Sequence, residues 1–425
     1  MKHVNPWHAC SLAVVTLVAL ASGATASEAD PEHDYANQTP YGTPDVSVKT
    51  PPAGYTMFFL ETVGRHGARS LTSDSTEKDA LRVWRRAAER DAVTELGQTF
   101  ARDIKRFQEA EEQIGYGRLS GVGREEWQGI GRRNAETYAD FFATLDHRDE
   151  TIMSVTTERT RTKQSATAMH EGLAKGGLNL DSELASISEA EEMLRISSKA
   201  SAEGEKMTEE IEGRDAIRSH AEHLLRSLYS TDFIDGLENP VDAALDVYKL
   251  YSTAPGMAKE TGITFARYVP QEDREPLSYV TDAETFYQYG PGVEGETDTF
   301  DSARPLLADF FKALDDRIGG SSTAAVLRFA HGETTMPFAS LIKTPGSDTQ
   351  TPVGEQFTRG ANPWRGADAG RLAGHVEWTA FRNESGKVLV TMRHNEKPVP
   401  FNGSCSPHTE NSYFYAVDEL KRCLG

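Results

Sequence analysis

Residues 55–70 read YTMFFLETVGRHGARS. Tyr55 to Val63 is a short apolar run rich in strand formers, and it passes at once into the polar, glycine-containing segment GRHGARS (64–70). A buried strand opening into such a loop is how α/β folds present chemistry at the carboxyl ends of their strands. In that loop Arg65-His66-Gly67-Ala68-Arg69 sets two guanidiniums around one imidazole. Guanidiniums bind oxyanions through planar, bidentate donor pairs, so the pattern reads as an anion clamp around a candidate nucleophile. The glycine lets backbone approach a ligand with no side chain in the way. An exposed basic loop is the alternative reading of the same residues.

Outward from this strand, residues 77–114 and 124–145 have helical spacing and high charge. Thr151 to Thr156 (TIMSVT) is a second strand candidate, and Thr162 to Leu173 is helical again. Residues 181–265, dominated by Ala, Glu, Leu, Lys and Arg without strand signatures, read as helix, 286–300 as loop, and 302–317 as helix. Ala324 to Ala330 (AAVLRFA) is a third buried strand, ending at His331-Gly332-Glu333. The stretch 344–371, rich in Gly, Pro, Thr and Asp, is a long loop of the kind that borders sites. His375–Arg382 and Val388–Arg393 form a hairpin across NESGK. Strands separated by helical stretches predict an α/β fold, with a largely parallel sheet flanked by helices. Its core is discontinuous, 53–175 and 300–425, around a mostly helical insert at 176–299 that helical segments of 75–150 can join.

The chain has 425 residues, 38% hydrophobic and 26% charged, which excludes collagen-like, coiled-coil and wholly disordered classes. Its 45 basic against 65 acidic residues give a formal net charge of −20, which argues against nucleic acid as a partner. An anionic ligand must therefore be held by a local cationic cluster working against the global field. Residues 1–26 read as a secretory signal: a short polar start, the apolar run Ser11 to Ala21, and Ala24-Thr25-Ala26 as the cleavage pattern. The run is too short for a membrane span, which needs about 20 residues. The protein is expected to be secreted or periplasmic, with no membrane association after cleavage and a loose leader at 27–52. Cys10 leaves with the signal, and the remaining pair, Cys405 and Cys423, reads as one disulfide in an oxidising compartment.

His331-Gly332-Glu333 is weak alone, but it follows an apolar strand as the arginine loop does, so the two would meet at one sheet edge. His220-Ala-Glu-His223 lacks a clear third ligand and reads as a charged helix face, so no metal site is expected. No GxSxG, Walker loop or dinucleotide fingerprint appears, and no cofactor is expected. Asn37, Asn383 and Asn402 begin glycosylation sequons.

RHGAR after the first strand together with HGE near residue 331 resembles the histidine acid phosphatases of the two-domain branch. The similarity is closer to the multiple inositol polyphosphate phosphatases and their bacterial phytase relatives. FAHGETTMPFASL (329–341), DAETFYQYGPG (282–292) and HNEKPVPF (394–401) are similar to segments of that family. The resemblance runs from about residue 55 to the C-terminus and is thin through the helical insert.

The resemblance implies roles residue by residue. His66 matches a nucleophile that becomes phosphohistidine, Arg65 and Arg69 a phosphate clamp, His331 a further phosphate ligand, and Glu333 the general acid. A third clamp arginine lies in TTERTRTKQSATAMHEGL (156–173), where Arg159 and Arg161 compete; an ungapped count back from Gly172-Leu173 selects Arg161. Gly332 stands where many relatives have alanine. The implied activity is metal-independent hydrolysis of inositol polyphosphates such as phytate. The alternatives are a broad-specificity acid phosphatase and a phosphate-ester-binding protein without turnover. The nucleophile must be neutral, which nearby arginines favour, and the general acid must carry a proton, so an acidic working range is expected. For phosphates not undergoing transfer, Lys78, Arg82 and Arg85 form a candidate cationic face, the competing reading being a solvated stripe paired with Glu77, Asp79 and Glu89.

Overall fold

The computed structural model describes residues 34–44, 46–145, 149–178 and 185–425. The expected signal, 1–26, and the start of the leader lie outside the described residues.

Among the described residues the sheet has eight strands: β1 (Tyr55–Arg65), β2 (Thr151–Thr156), β3 (Ala185–Glu189), β4 (Thr323–Ala330), β5 (His375–Asn383), β6 (Val388–His394), β7 (Lys397–Val399) and β8 (Tyr415–Ala416). They run in the order β3-β2-β4-β1-β5-β6-β7, with β8 on β6. The half from β3 to β1 is parallel, and from β5 onward the pairings are antiparallel. The fold is thus α/β, its parallel half carrying the strand ends on which the sequence places its chemistry. β1 lies between β4 and β5 and is buried along most of its length, which is why YTMFFLETV is nearly continuous in apolar residues. Its side chains still alternate between faces. Phe59 and Val63 join Phe310 and Trp378 in one core, while Leu60 joins Trp127, Ile152 and Phe329 in the other.

Helices α1 (Ser75–Ala88), α2 (Glu95–Ile114), α3 (Gly121–Thr137), α4 (Ala139–Phe142) and α5 (Thr160–Lys175) fill the first half of the chain. The Thr94 and Ser120 hydroxyls accept the amides of Gly97 and Gly123 to start α2 and α3, the ordinary cap of a helix whose first amides lack partners. The third apolar core lies away from the sheet: α1 and α2 contribute Leu81, Phe100, Ile104 and Phe107, and residues 207–293 contribute Leu224, Val247, Tyr251 and Phe286. A disulfide joins Cys405 to Cys423 in the C-terminal helix Val417–Leu424.

Two local expectations are corrected. Residues 185–189, within the stretch read as helix, form β3; it is an edge strand with mostly exposed side chains, so it has no apolar run to announce it. The stretch read as loop from 286 is still helix to Tyr289, because Phe286 and Tyr287 are buried in the third core.

Candidate active site

Strand register brings the two histidine motifs together. Arg65 of β1 pairs with Ala330 of β4, and Phe329 of β4 pairs with Thr156 of β2. One residue further along these three parallel strands stand His66, His331 and Thr157, at a single sheet edge. The His66 amide closes the register by donating to the Ala330 carbonyl at 2.9 Å. Both imidazoles are buried, and their rings lie 5.5 Å apart, tilted at 70°.

The hydrogen bonds fix which nitrogen of each ring carries the proton. His66 Nδ1 lies 2.8 Å from the Gly67 carbonyl. A carbonyl only accepts, so Nδ1 is the N–H and the lone pair sits on Nε2. His331 is ordered the other way. Arg161 Nη2, which can only donate, is 3.1 Å from His331 Nδ1, so the proton sits on Nε2 and is given to Thr157 Oγ1 at 3.0 Å. The Thr157 hydroxyl passes a hydrogen bond to Thr162 Oγ1 at 2.9 Å, which donates to the Arg159 carbonyl at 2.7 Å. The chain ends on an acceptor, so both rings are held neutral with a defined face. Burial is the largest cause lowering the His66 pKa, followed by the charges of Arg161, Arg65 and Arg69. The arginines emphasised from sequence therefore come second to desolvation. Burial and the Arg161 and Arg65 charges push His331 down to about 3.

Arg65, Arg69 and Arg161 converge on these rings, each lowered to about 10, in every case chiefly by burial. All three stay cationic through the acid and neutral range. Arg65 spends Nη1 on the carbonyls of Asn37 and Gly370, and Arg69 spends Nη1 on the carbonyl of Ser70. Nε of all three is buried without a hydrogen-bond partner. Glu333, half-buried in the first turn of the helix Gly332–Leu341, acts electrostatically on all three arginines. Arg159 is exposed at the start of α5, and its guanidinium acts on Arg161 and His331 through its charge. Arg195 does the same from beyond β3, and Tyr289 lies within the field of Glu333. Sequence reasoning missed both Arg195 and Tyr289, since neither falls in a motif beside the histidines.

The loop carrying His66 is clamped from below by α3. Glu126 accepts the amide of Ala68 at 2.7 Å and that of Tyr41 at 2.9 Å. The Ser120 hydroxyl lies 3.1 Å from the Ala68 carbonyl, and Ser165 Oγ accepts the Gly67 amide at 3.2 Å. Gly67 has a different duty from the one read in the sequence: a Cβ there would stand 2.5 Å from the Gly123 carbonyl oxygen, so the close approach is to helix α3.

Lys78, Arg82 and Arg85 are not brought to this cluster. Lys78 pairs with Asp74 and Arg82 with Asp79, both cations more than 60% exposed, and Arg85 is exposed on the same helix. No contact joins the three to the clamp among the described residues, so the solvated stripe describes this face, except that Glu77 is wholly buried. His220 and His223 both turn Nδ1 to the buried Asp273 at 2.8 Å. Among the described residues, no group of three or more His, Cys, Asp or Glu side chains could hold a metal ion, and no helix is long and apolar enough to cross a membrane.

Residues 56–392 match the family model of the histidine phosphatase superfamily, branch 2. No curated protein matches the chain. Among solved structures it is similar to the Bifidobacterium longum multiple inositol polyphosphate phosphatase in complex with inositol hexasulfate, at 25% identity and a TM-score of 0.87, over 92% of this chain and 97% of that one. The phytase from D. castellii is 14% identical, with a TM-score of 0.66 over 92% of this chain and 84% of that one. The Hafnia alvei phytase in complex with myo-inositol hexakis sulphate is also 14% identical, with a TM-score of 0.53 over 88% of this chain and 97% of that one. The last two likenesses concern the fold alone.

Proposed function

The chain belongs to the histidine phosphatase superfamily, branch 2, and from that premise we propose that it hydrolyses inositol polyphosphates such as phytate through a phosphohistidine on His66. It is a phosphoric monoester hydrolase; the substrate class and the residue roles are the proposal. The observation that carries it is the number of arginines focused on the two histidines. Arg65, Arg69 and Arg161 suffice to surround one phosphoryl group, yet Arg159 and Arg195 add their field at the rim of a strongly acidic chain. A surplus of cations suits a ligand with several phosphates. The similarity to an inositol polyphosphate phosphatase holding inositol hexasulfate supports the same class.

In this reading Nε2 of His66 attacks phosphorus in line with the ester oxygen. The P–O bond breaks, its electron pair goes to the alkoxide, and Glu333 delivers the proton that makes it an alcohol. The arginines hold the equatorial oxygens, whose charge they match without reorganising. Nδ1–H of His66, fixed on the Gly67 carbonyl, supports the positive charge that appears as Nε2 bonds to phosphorus. Water then attacks phosphorus, Glu333 takes its proton, and the N–P electron pair returns to Nε2. Export, with cleavage after Ala26, completes the proposal; the Cys405–Cys423 bond suits an oxidising compartment.

Rapid quenching with radiolabelled phytate tests the mechanism. Acid-labile label should be recovered on the peptide carrying His66 and be absent from His66→Ala. Label on a serine or aspartate would reject it. Comparing kcat/KM for phytate with that for a small aryl phosphate tests the substrate class, since equal values would point to the broad-specificity reading.

A further inference from the structure

Two carboxyl groups lie buried against each other behind the arginine loop. Glu77, in the first turn of α1, and Glu111, in the last turn of α2, are both 0% exposed. Glu111 Oε1 accepts the amide of Leu71 at 2.6 Å, and Glu77 Oε1 accepts the Tyr116 hydroxyl at 3.2 Å. Oε2 of each is buried with no hydrogen-bond partner, and the Glu77 carboxyl is near enough to act on Glu111. Two anionic carboxylates have only acceptors, so such a pair requires one proton between them. Leu71 lies two residues beyond Arg69, on a segment strapped to 117–118: the Gly117 amide donates to the Leu71 carbonyl at 2.7 Å and the Ser70 amide to the Arg118 carbonyl at 3.1 Å.

We propose that Glu77 and Glu111 share one proton and form a positioning pair, which holds Arg69 in the phosphate clamp through the Leu71 amide. The proposal rests on the reading of Arg69 as a phosphate ligand. With the proton present, Glu111 binds Leu71 through one oxygen and Glu77 through the other, and α1, α2 and the loop are tied at one point. Without it, two negative charges face each other in an apolar enclosure, and the arrangement opens. The charged and titratable groups facing the pair are Arg69 from the loop, Tyr116 from the turn after α2, and Lys78 on α1. None is ion-paired with it among the described residues. Burial, then the Glu77 carboxyl, pushes Glu111 up to about 9.

The test uses inorganic phosphate and calorimetry on the full protein. Glu77→Gln keeps a donor for Glu111 and removes the titrating proton. Between pH 7 and 9.5 the wild type should lose about fourfold more phosphate affinity than Glu77→Gln, the factor expected for a site titrating near 9. Parallel profiles would overturn the proposal. At pH 5, Glu111→Ala should raise KM for an aryl phosphate about tenfold with kcat within about threefold, and Glu111→Gln, which can accept from Leu71 and donate to Glu77, should restore KM. An unchanged KM in Glu111→Ala would also overturn it; if that variant does not fold, the Glu77→Gln profile decides. Arg69→Ala separates the two levels. If it binds phosphate as the wild type does, the clamp reading has failed; if it does not, while the glutamate variants match the wild type, only the pair has failed.

Discussion

Gly67→Ala is the most direct test of how the arginine loop is held. A Cβ at Gly67 would lie 2.5 Å from the carbonyl oxygen of Gly123, 2.8 Å from its Cα and 2.9 Å from its carbonyl carbon. All three atoms are backbone of α3, so no side-chain rotation relieves the contact. Restoring an ordinary separation of about 3.4 Å requires the loop and helix to part by roughly 1 Å. Overpacking of this kind costs about 1–3 kcal/mol, and the displaced segment carries His66, Ala68 and Arg69. A 1 Å misplacement of reacting groups costs on the order of 100-fold in rate. Gly332→Ala is the internal comparison: there the Cβ would stand 3.3 Å from Arg65 Nε and 3.4 Å from Met336 Cε, side-chain atoms at the edge of ordinary contact rather than backbone. The expected result is a fall of about 100-fold in kcat/KM for an aryl phosphate in Gly67→Ala, with a lowered Tm, and a loss within about threefold in Gly332→Ala. Equal kinetics in the two variants, or an unchanged Tm in Gly67→Ala, would show that the loop is not fixed by its contact with α3.

Four further outcomes follow from the same geometry. Thr157→Val removes the acceptor of His331 Nε2–H, leaves that buried N–H without a partner, and should lower kcat/KM about tenfold, whereas Thr157→Ser should retain activity. Glu333→Gln should reduce turnover of alkyl phosphates far more than that of aryl phosphates, whose leaving group needs less protonation; equal losses would remove Glu333 from the proton-donor role. His331, neutral when folded down to about 3, takes a proton near 6.5 when unfolded, so the unfolded state binds more protons between those values and stability falls as pH drops below about 6.5. His331→Asn should therefore flatten the acid side of a Tm–pH profile, by at most about 1.4 kcal/mol per pH unit. Cys423→Ser opens the loop closed to Cys405 and should cost about 3 kcal/mol in the chain-entropy account, read as a lowered Tm that reductant reproduces in the wild type.

What the sequence made legible follows from how each part is stabilised. β1, β2 and β4 are buried central strands, so their apolar runs announce them, and the residues after two of them announce the histidines. The parallel register of these strands then needs no further signal to bring His66 and His331 to one edge. β3 escaped because an edge strand with exposed side chains carries no apolar pattern. Arg195 escaped for a related reason: it stands beyond β3, and its proximity to His331 is set by the β2–β3–β4 arrangement rather than by any local motif.

The acids behind the loop escape for a different reason, and here the sequence carries a signal. Glu77 was counted with the charges of α1, yet it falls in helical register with Ala80, Leu81 and Trp84, the apolar stripe of that helix. Glu111 is in the same relation to Ile104, Phe107 and Ile114 in α2, and Glu126 to Gly123 and Ile130 in α3. A carboxyl on an apolar stripe must find partners inside the protein, since leaving it unpaired there is costly. Glu126 and Glu111 find theirs in the amides of Ala68 and Leu71, which bracket Arg69. The arginines here repel one another, and backbone amides held by buried acids keep the loop at its strand end. The position of an acid relative to the apolar stripe, rather than its membership in a charged run, therefore separates the residues that hold this clamp from those that face solvent.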